Sequence, residues 1–349
     1  MKITMGLSYA GGFVESAKQV SELEKVGLDL VWVAEAYGFD GPSLMGYLAA
    51  KTERVQIGAG ILPIYTRTPA LIAMTAAGID ALSEGRFQLG LGASGPQVIE
   101  GWHGVPYSAP VGRTREVIEI CRKIWAREEP LVHEGRVFTL PLPAEEGTGL
   151  GKPLKIIARP VRPRIPIWVA SLGEKNVEMT AEIADGWLPF LFVPEKAGEV
   201  WGRALRAGRD KRDPALGELQ ISAGGPLAIG DGPEVREAAQ LLRPMMALYI
   251  GGMGAKGRNF YNDLACRYGY EREAGEIQDL YLSGKKEEAA ARVPDSLIDA
   301  VSLCGPASFV AERIAALKGA GVTHLQVAPI PTGDESVASL IAKVGELAS

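Results

Sequence analysis

Two side chains in the sequence could move a proton near neutral pH. Glu35 stands in LVWVAEAYG, directly after an apolar run, and His103 in EGWHG is one of only three histidines. A carboxylate at the end of a buried parallel strand suits a catalytic acid, and it suits a rim ion pair equally well. A lone imidazole beyond a strand could donate a proton to a bound molecule, although most such residues are structural. Glu35 and His103 are the catalytic candidates. His133, in LVHEGRVFTLP, and His324, leading into HLQVAPI, read as structural. No His, Cys, Asp or Glu cluster has metal-ligand spacing, so no metal is expected.

Two glycine-bearing stretches could hold an anion. In RFQLGLGASGP, Gly90, Gly92 and Gly95 spell G-x-G-x-x-G, the dinucleotide fingerprint. That motif must open a helix and be followed by an acidic residue about 20 positions on. Here Gly90 and Gly92 fall inside the strand, and Pro96, Gly101, Gly104, Pro106 and Pro110 interrupt any helix beyond it. The match is a decoy, and small residues there are expected to let a flat ring system approach the strand end. The second stretch, ASLGEKN (170–176), comes after an apolar strand and opens a helix. The amides of Ser171, Leu172 and Gly173 are expected to face outward as an anion site, with Lys175 adding charge. The same residues without a ligand would form a tight turn with Ser171 as N-cap.

Something must carry these residues to one place. Short strands, apolar on both faces, alternate with amphipathic helical runs: ITMGLSY (3–9), LDLVWVAE (28–35), RVQIGAGI (54–61), RFQLGLG (86–92), IPIWVAS (165–171), WLPFLF (187–192), QISAGGPLAIG (220–230) and HLQVAPI (324–330). Strands of this kind belong to a parallel sheet covered by helices. LEKVGLDLVWVAE and LKGAGVTHLQVAP repeat one plan, a helix stopped at Gly27 or Gly321 and then a strand. Eight such units close into an α/β fold of the (β/α)8 TIM barrel type, with chemistry at the C-terminal strand ends. Two segments depart from the plan. Residues 131–141 carry a hairpin signal at Glu134–Gly135, and the polar, mainly helical segment 250–296 reads as an insertion over the barrel mouth.

Composition narrows the classes. The chain has 349 residues, 47% of them hydrophobic, enough for a single barrel domain spanning 1–349. A net charge of −5 offers no basic face for nucleic acid. No apolar run reaches the roughly 18 residues of a membrane span. Cys121, Cys266 and Cys304 fit no disulfide framework, and the N-terminus is no signal peptide, so a cytoplasmic location is expected.

WVAEAYG, GAGILPIYTRTP, LGLGASGPQVIEGWHG and ASLGEKNVEMTAEIADGWLP come after consecutive strands and together resemble the bacterial-luciferase-like superfamily. Within it, SGPQVIEGWHGVPY, the EGR hairpin and LYIGGMGAKGRNF resemble the branch dependent on the deazaflavin coenzyme F420, in an actinobacterial subgroup related to methylenetetrahydromethanopterin reductases. The resemblance covers nearly the whole chain. It implies a luciferase-like barrel, usually a homodimer, whose third strand ends in a bulge with a non-prolyl cis peptide at Gly60–Ile61, placed against one face of the cofactor ring. It implies cofactor contacts from Tyr65, Thr66, Arg67, Ser94 and Gly95, with phosphate on Ala170, Ser171, Leu172, Gly173 and Lys175. Arg113, Arg115 and Arg258 could meet an anionic cofactor tail, and Asp185 would accept N–H groups in a turn. Glu35 falls where relatives carry an acid near the reactive ring carbon, but Ala36 stands where some carry histidine. The implied activity is hydride transfer between F420 and a small organic substrate. The alternative is an FMN-dependent two-component monooxygenase on the same barrel.

Overall fold

The computed structural model describes residues 1–7 and 11–349. The strands are β1 (Lys2–Leu7), β2 (Leu30–Val33), β3 (Gln56–Ala59), β4 (Leu62–Pro63), β5 (Phe87–Gly92), β6 (His133–Glu134), β7 (Thr139–Leu140), β8 (Ile167–Ala170), β9 (Gly186–Trp187), β10 (Gln220–Ile229), β11 (Leu303–Gly305) and β12 (His324–Pro329). The strand expected over 3–9 extends to Ser8 and Tyr9, which lie outside the described residues.

The ring runs β1-β2-β3-β5-β8-β9-β10-β12 and closes when β12 pairs with β1, every pairing parallel. Strand β4 continues β3 along β5. This is the closed eight-stranded (β/α)8 barrel, with helices such as Gly41–Lys51, Pro69–Leu82 and Pro110–Ala126 outside it. Strand β11 branches from the end of β10, at Leu227–Ile229, and has no counterpart among the expected strands: three residues before Pro306 carry no readable period. Of the expected strand 187–192 only Trp187 lies in the observed strand Gly186–Trp187, because Pro189 has no N–H to donate. The segment 250–296 holds the helices Phe260–Arg267, Glu271–Leu282 and Lys286–Ala291.

The hairpin forms at β6–β7, and its turn is built around an anion. The Glu116 carboxylate accepts from the amides of Arg136, Val137 and Phe138 at 2.8–3.2 Å and lies 3.3 Å from His133 Nε2. Burial alone would raise the pKa of this acid, but the combined hydrogen bonds from Phe138, His133, Val137 and Arg136 hold it below the ordinary value. A Cβ at Gly135 would sit 2.1 Å from that carboxylate, so the glycine is there for access.

Inside the ring, Leu30, Trp32 and Trp168 pack together, with the two indoles edge to face at 5.2 Å. Trp168 donates to Gln88 Oε1 at 2.9 Å and meets the His324 ring edge-on at 4.9 Å. Gln88, Gly90 and Gly92 occupy alternate positions of β5 and therefore share its inward face. A Cβ at Gly90 would lie 1.8 Å from the Ala59 carbonyl oxygen, and one at Gly92 would lie 3.0 Å from Ile61 Cγ1. The G-x-G spacing thus makes room for the neighbouring strand.

Gly90→Ala is expected to lower stability by about 3 kcal/mol or more, through overpacking against backbone that cannot retreat. Urea denaturation of the purified variant measures this, and a loss under about 0.5 kcal/mol would show that the strands part easily. Burial pushes the His324 pKa from 6.5 down to about 4, with Lys2 and the N-terminal amine adding to the effect. Between those values the unfolded chain binds a proton that the folded chain refuses. This contribution is therefore intact above pH 6.5 and is lost as the pH falls toward 4. Thermal melts across that window should show a slope that His324→Gln flattens.

Candidate active site

The C-terminal ends of the strands converge on one mouth, and the third strand enters it irregularly. Gly58 pairs with Gln88, yet Leu62 pairs with Leu91, so the β3–β4 side carries one residue more than β5 over the same stretch. That is a β-bulge, centred on Gly60 and Ile61, and the peptide between them is cis. The Gly60 amide donates to the Val33 carbonyl at 2.7 Å, and Ile64 donates to Gly92 at 3.0 Å, which ties the bulge to both neighbours. Gly60 also passes close over Trp32, where a Cβ would come within 3.0 Å of the Trp32 Cβ.

Glu35 and Arg67 face each other across the ends of β2 and β4. Arg67 donates to the two Glu35 oxygens at 2.5 and 2.8 Å, and the Gly41 amide, at the start of helix Gly41–Lys51, donates to Oε2 at 2.7 Å. The side chains are 8% (Glu35) and 14% (Arg67) exposed. Of the two readings open for Glu35, acid or rim ion pair, the geometry displays the ion pair, with no oxygen left free of a donor. Thr66 stays beside it, donating to Pro63 and lying 3.3 Å from Arg67. Tyr65 is buried, donates to the Ser108 carbonyl at 2.7 Å and stacks on Tyr107 at 5.1 Å. Burial, and then the neighbouring Tyr65, push the Tyr107 hydroxyl up to about 12.

The loop after β8 is organised from below. Trp187 Nε1 donates to the Ser171 carbonyl at 2.9 Å, and Trp201 Nε1 donates to the Leu172 carbonyl at 3.0 Å. In a trans peptide the N–H points opposite to the C=O. Two carbonyls drawn toward buried indoles therefore turn the amides of Leu172 and Gly173 away from the core. Neither amide has a partner among the described residues. The next helix, Glu174–Ile183, adds its unpaired first-turn amides and its dipole. Its N-cap is Gly173, not Ser171: the Ser171 hydroxyl turns inward to Thr180 at 2.9 Å, so only its backbone serves the loop. Ala170 ends β8 beneath the loop, and Lys175 extends from the first turn with no ion-pair partner among the described residues.

Aromatic rings wall the mouth. From the 250–296 side, Tyr249 and Tyr261 pack on Phe190 at 4.5 and 5.7 Å, and the Phe260 ring lies over Gly173. Tyr268 anchors this segment by donating to the Leu191 carbonyl at 2.7 Å. On the opposite side, beyond β5, Ser94 is exposed in the left-handed conformation, and Gly95 caps the short helix Pro96–Gly101. His103 comes just after that helix, with its Nε2 buried and without a partner.

Other candidates lie outside this arrangement. Arg115 is committed to Glu182 through two hydrogen bonds, and Arg113 is sandwiched over Tyr65 and Phe138. Arg258 is exposed near Phe260. Asp185 accepts from the Ile167 amide at 2.9 Å and from Arg122 at 3.1 Å, with Arg164 also bound. No group of three or more His, Cys, Asp or Glu side chains able to hold a metal occurs among the described residues. Trp187 and Trp201 do not stand out in the sequence as site residues. An indole in an apolar run reads as core, and nothing local tells which carbonyl its N–H will find.

A parallel (β/α)8 barrel with a bulged third strand and an outward amide loop at its mouth defines a ligand-binding barrel of the luciferase-like type. The chain belongs to the luciferase-like monooxygenase family, whose profile matches residues 2–324. It is 40% identical over 334 residues, 94% of each chain, to a Mycobacterium tuberculosis protein provisionally described as a coenzyme F420-dependent oxidoreductase. It is 28% identical over 331 residues to the 5,10-methylenetetrahydromethanopterin reductase of Archaeoglobus fulgidus, covering 94% of this chain and 93% of that one. Among solved structures, the F420-dependent tetrahydromethanopterin reductase from Methanopyrus kandleri shares the fold, with a TM-score of 0.79 at 22% identity, over 99% of this chain and 97% of that one.

The Glu35–Arg67 pair is expected to be strongly coupled. Glu35→Ala, which strands a largely buried guanidinium, should cost about 3 kcal/mol, and the double replacement Glu35→Ala with Arg67→Ala should cost less than the two single losses added together. A double-mutant cycle by urea denaturation checks this, and additive losses would mean that the pair contributes no mutual stabilisation.

Proposed function

We propose that the protein is a coenzyme F420-dependent oxidoreductase acting on a small organic molecule. The observation that carries this reading is the pair of outward amides at Leu172 and Gly173, held by two indoles at the mouth of a luciferase-like barrel. A phosphorylated cofactor fits there: the backbone from Ala170 to Gly173 would receive the phosphate, with Lys175 supplying a positive charge. The similarity to F420-dependent proteins supports the deazaflavin over FMN. When bound, the deazaflavin supplies a hydride donor or acceptor that reacts slowly with oxygen.

The chain's own residues then divide the work. Gly60 and Ile61 would back the ring and leave its other face for substrate. Tyr65, Thr66, Arg67, Ser94 and Gly95 would line the approach, with Glu35 orienting Arg67 instead of trading protons. The unpartnered, buried Nε2 of His103 is the group best suited to hold or release the proton that accompanies hydride transfer. Phe260 and Tyr261 help to exclude water. The reading also places the enzyme in the cytoplasm, consistent with three unpaired cysteines.

Gly173 has φ −69° and ψ 143°, which proline adopts without strain. Gly173→Pro deletes one amide donor and should weaken F420 binding about tenfold or more, as expected for a lost hydrogen bond to a charged group. Gly173→Ala keeps the N–H and should bind nearly as the parent does. Fluorescence titrations with F420 and FMN separately decide the cofactor: tight FMN binding without F420 binding would reverse the assignment. A homodimer would use the outer face of helices Gly41–Lys51 and Pro69–Leu82, where Tyr47, Leu71, Met74 and Leu82 are exposed. Sedimentation should then give a dimer for the parent protein and a monomer for Leu71→Glu combined with Met74→Glu. A monomeric parent would refute the dimer.

A further inference from the structure

One side of the mouth carries large aromatic side chains left exposed by the described residues. Tyr37 is 66% exposed, Phe39 63% and Trp102 67%. They belong to the loops after β2 and β5, at the same strand ends as the bulge. The rings are not scattered: Phe13 meets Phe39 edge-on at 5.4 Å, and Tyr37 meets Trp102 at 6.3 Å. Two aromatic pairs with exposed rings on one rim mark a binding surface.

Near this rim the Glu35 charge is neutralised, and the exposed charges are carboxylates. Glu35 is held by Arg67 and the Gly41 amide, Asp40 accepts from Ser43, and Glu100 accepts from the Tyr107 amide. Arg113 is stacked between Tyr65 and Phe138. An anionic substrate would meet the exposed carboxylates of Asp40 and Glu100 here, whereas a neutral planar one would find ring faces and edges. His103 Nε2, one residue beyond Trp102, is buried without a partner, as is Arg113 Nε.

We propose that the substrate is a neutral, planar, largely apolar molecule with a single hydrogen-bond acceptor, taken up against Tyr37, Phe39 and Trp102 with its polar atom toward His103. The proposal deepens the functional reading above and rests on it for the hydride chemistry, but its binding step can be measured without the cofactor. Equilibrium dialysis of the full chain, with and without F420, against 2-acetylnaphthalene and against naphthalene-2-sulfonate makes the test. The neutral ketone should bind at least tenfold more tightly than the anionic sulfonate. Trp102→Ala combined with Phe39→Ala should weaken ketone binding about tenfold, Trp102→Phe should restore most of it, and F420 affinity and the melting temperature should stay at parent values. Equal binding of the two probes, or ketone binding unchanged in the double variant, would overturn the proposal. Failure of F420 to bind while the ketone pattern holds would instead count against the cofactor assignment.

Discussion

The barrel can carry an extra residue in its third strand because position 90 has no side chain. Any Cβ there would collide with the Ala59 carbonyl oxygen, and one at Gly92 would crowd Ile61. With both inward positions of β5 vacated, the β3–β4 side shifts its register by one residue and turns Gly60 and Ile61 out at the mouth. An irregular strand inside a closed parallel barrel leaves amides unsatisfied unless neighbours take them up. Here Gly60 donates to β2 and Ile64 to β5, so the bulge is fastened on both sides. Everything proposed for the site uses this projection as its floor.

The second fixed feature is the amide loop after β8. Its outward polarity comes from hydrogen bonds made in the opposite direction, by Trp187 and Trp201 to the carbonyls of Ser171 and Leu172. The two indoles are themselves locked edge to face at 5.2 Å, with Phe192 stacked on Trp201. Tyr268, from the 250–296 segment, closes the same aromatic cluster. The segment that covers one side of the mouth therefore shares its packing with the loop it overhangs. Displacing one would disturb the other.

The repeat of strand and helix was legible because both faces of each strand are apolar and each helix has its own period. The spans 28–35, 54–61, 86–92 and 165–171 all fall within a few residues of the observed strands. The site was legible as positions at strand ends, and less so as contacts. Glu35 reads as an acid, but only the fold brings Arg67 from 32 residues away to neutralise it. Gly90 and Gly92 read as space for a ligand, but the space is filled by the neighbouring strand. Ser171 reads as a cap, but its hydroxyl finds a better partner in Thr180. In each case a local pattern drew attention to the residue, and a long-range partner set its contacts. Strand β11 left no pattern at all, being too short to show one.

Between these two features, the bulge and the amide loop, a phosphorylated deazaflavin should lie. A crystal structure of the F420 complex is the decisive experiment. A phosphate oxygen is expected within hydrogen-bond distance of the Leu172 and Gly173 amides, and the ring system is expected to rest on Gly60–Ile61 with its far face open toward His103. A cofactor phosphate bound elsewhere, with those two amides still facing solvent, would refute this placement.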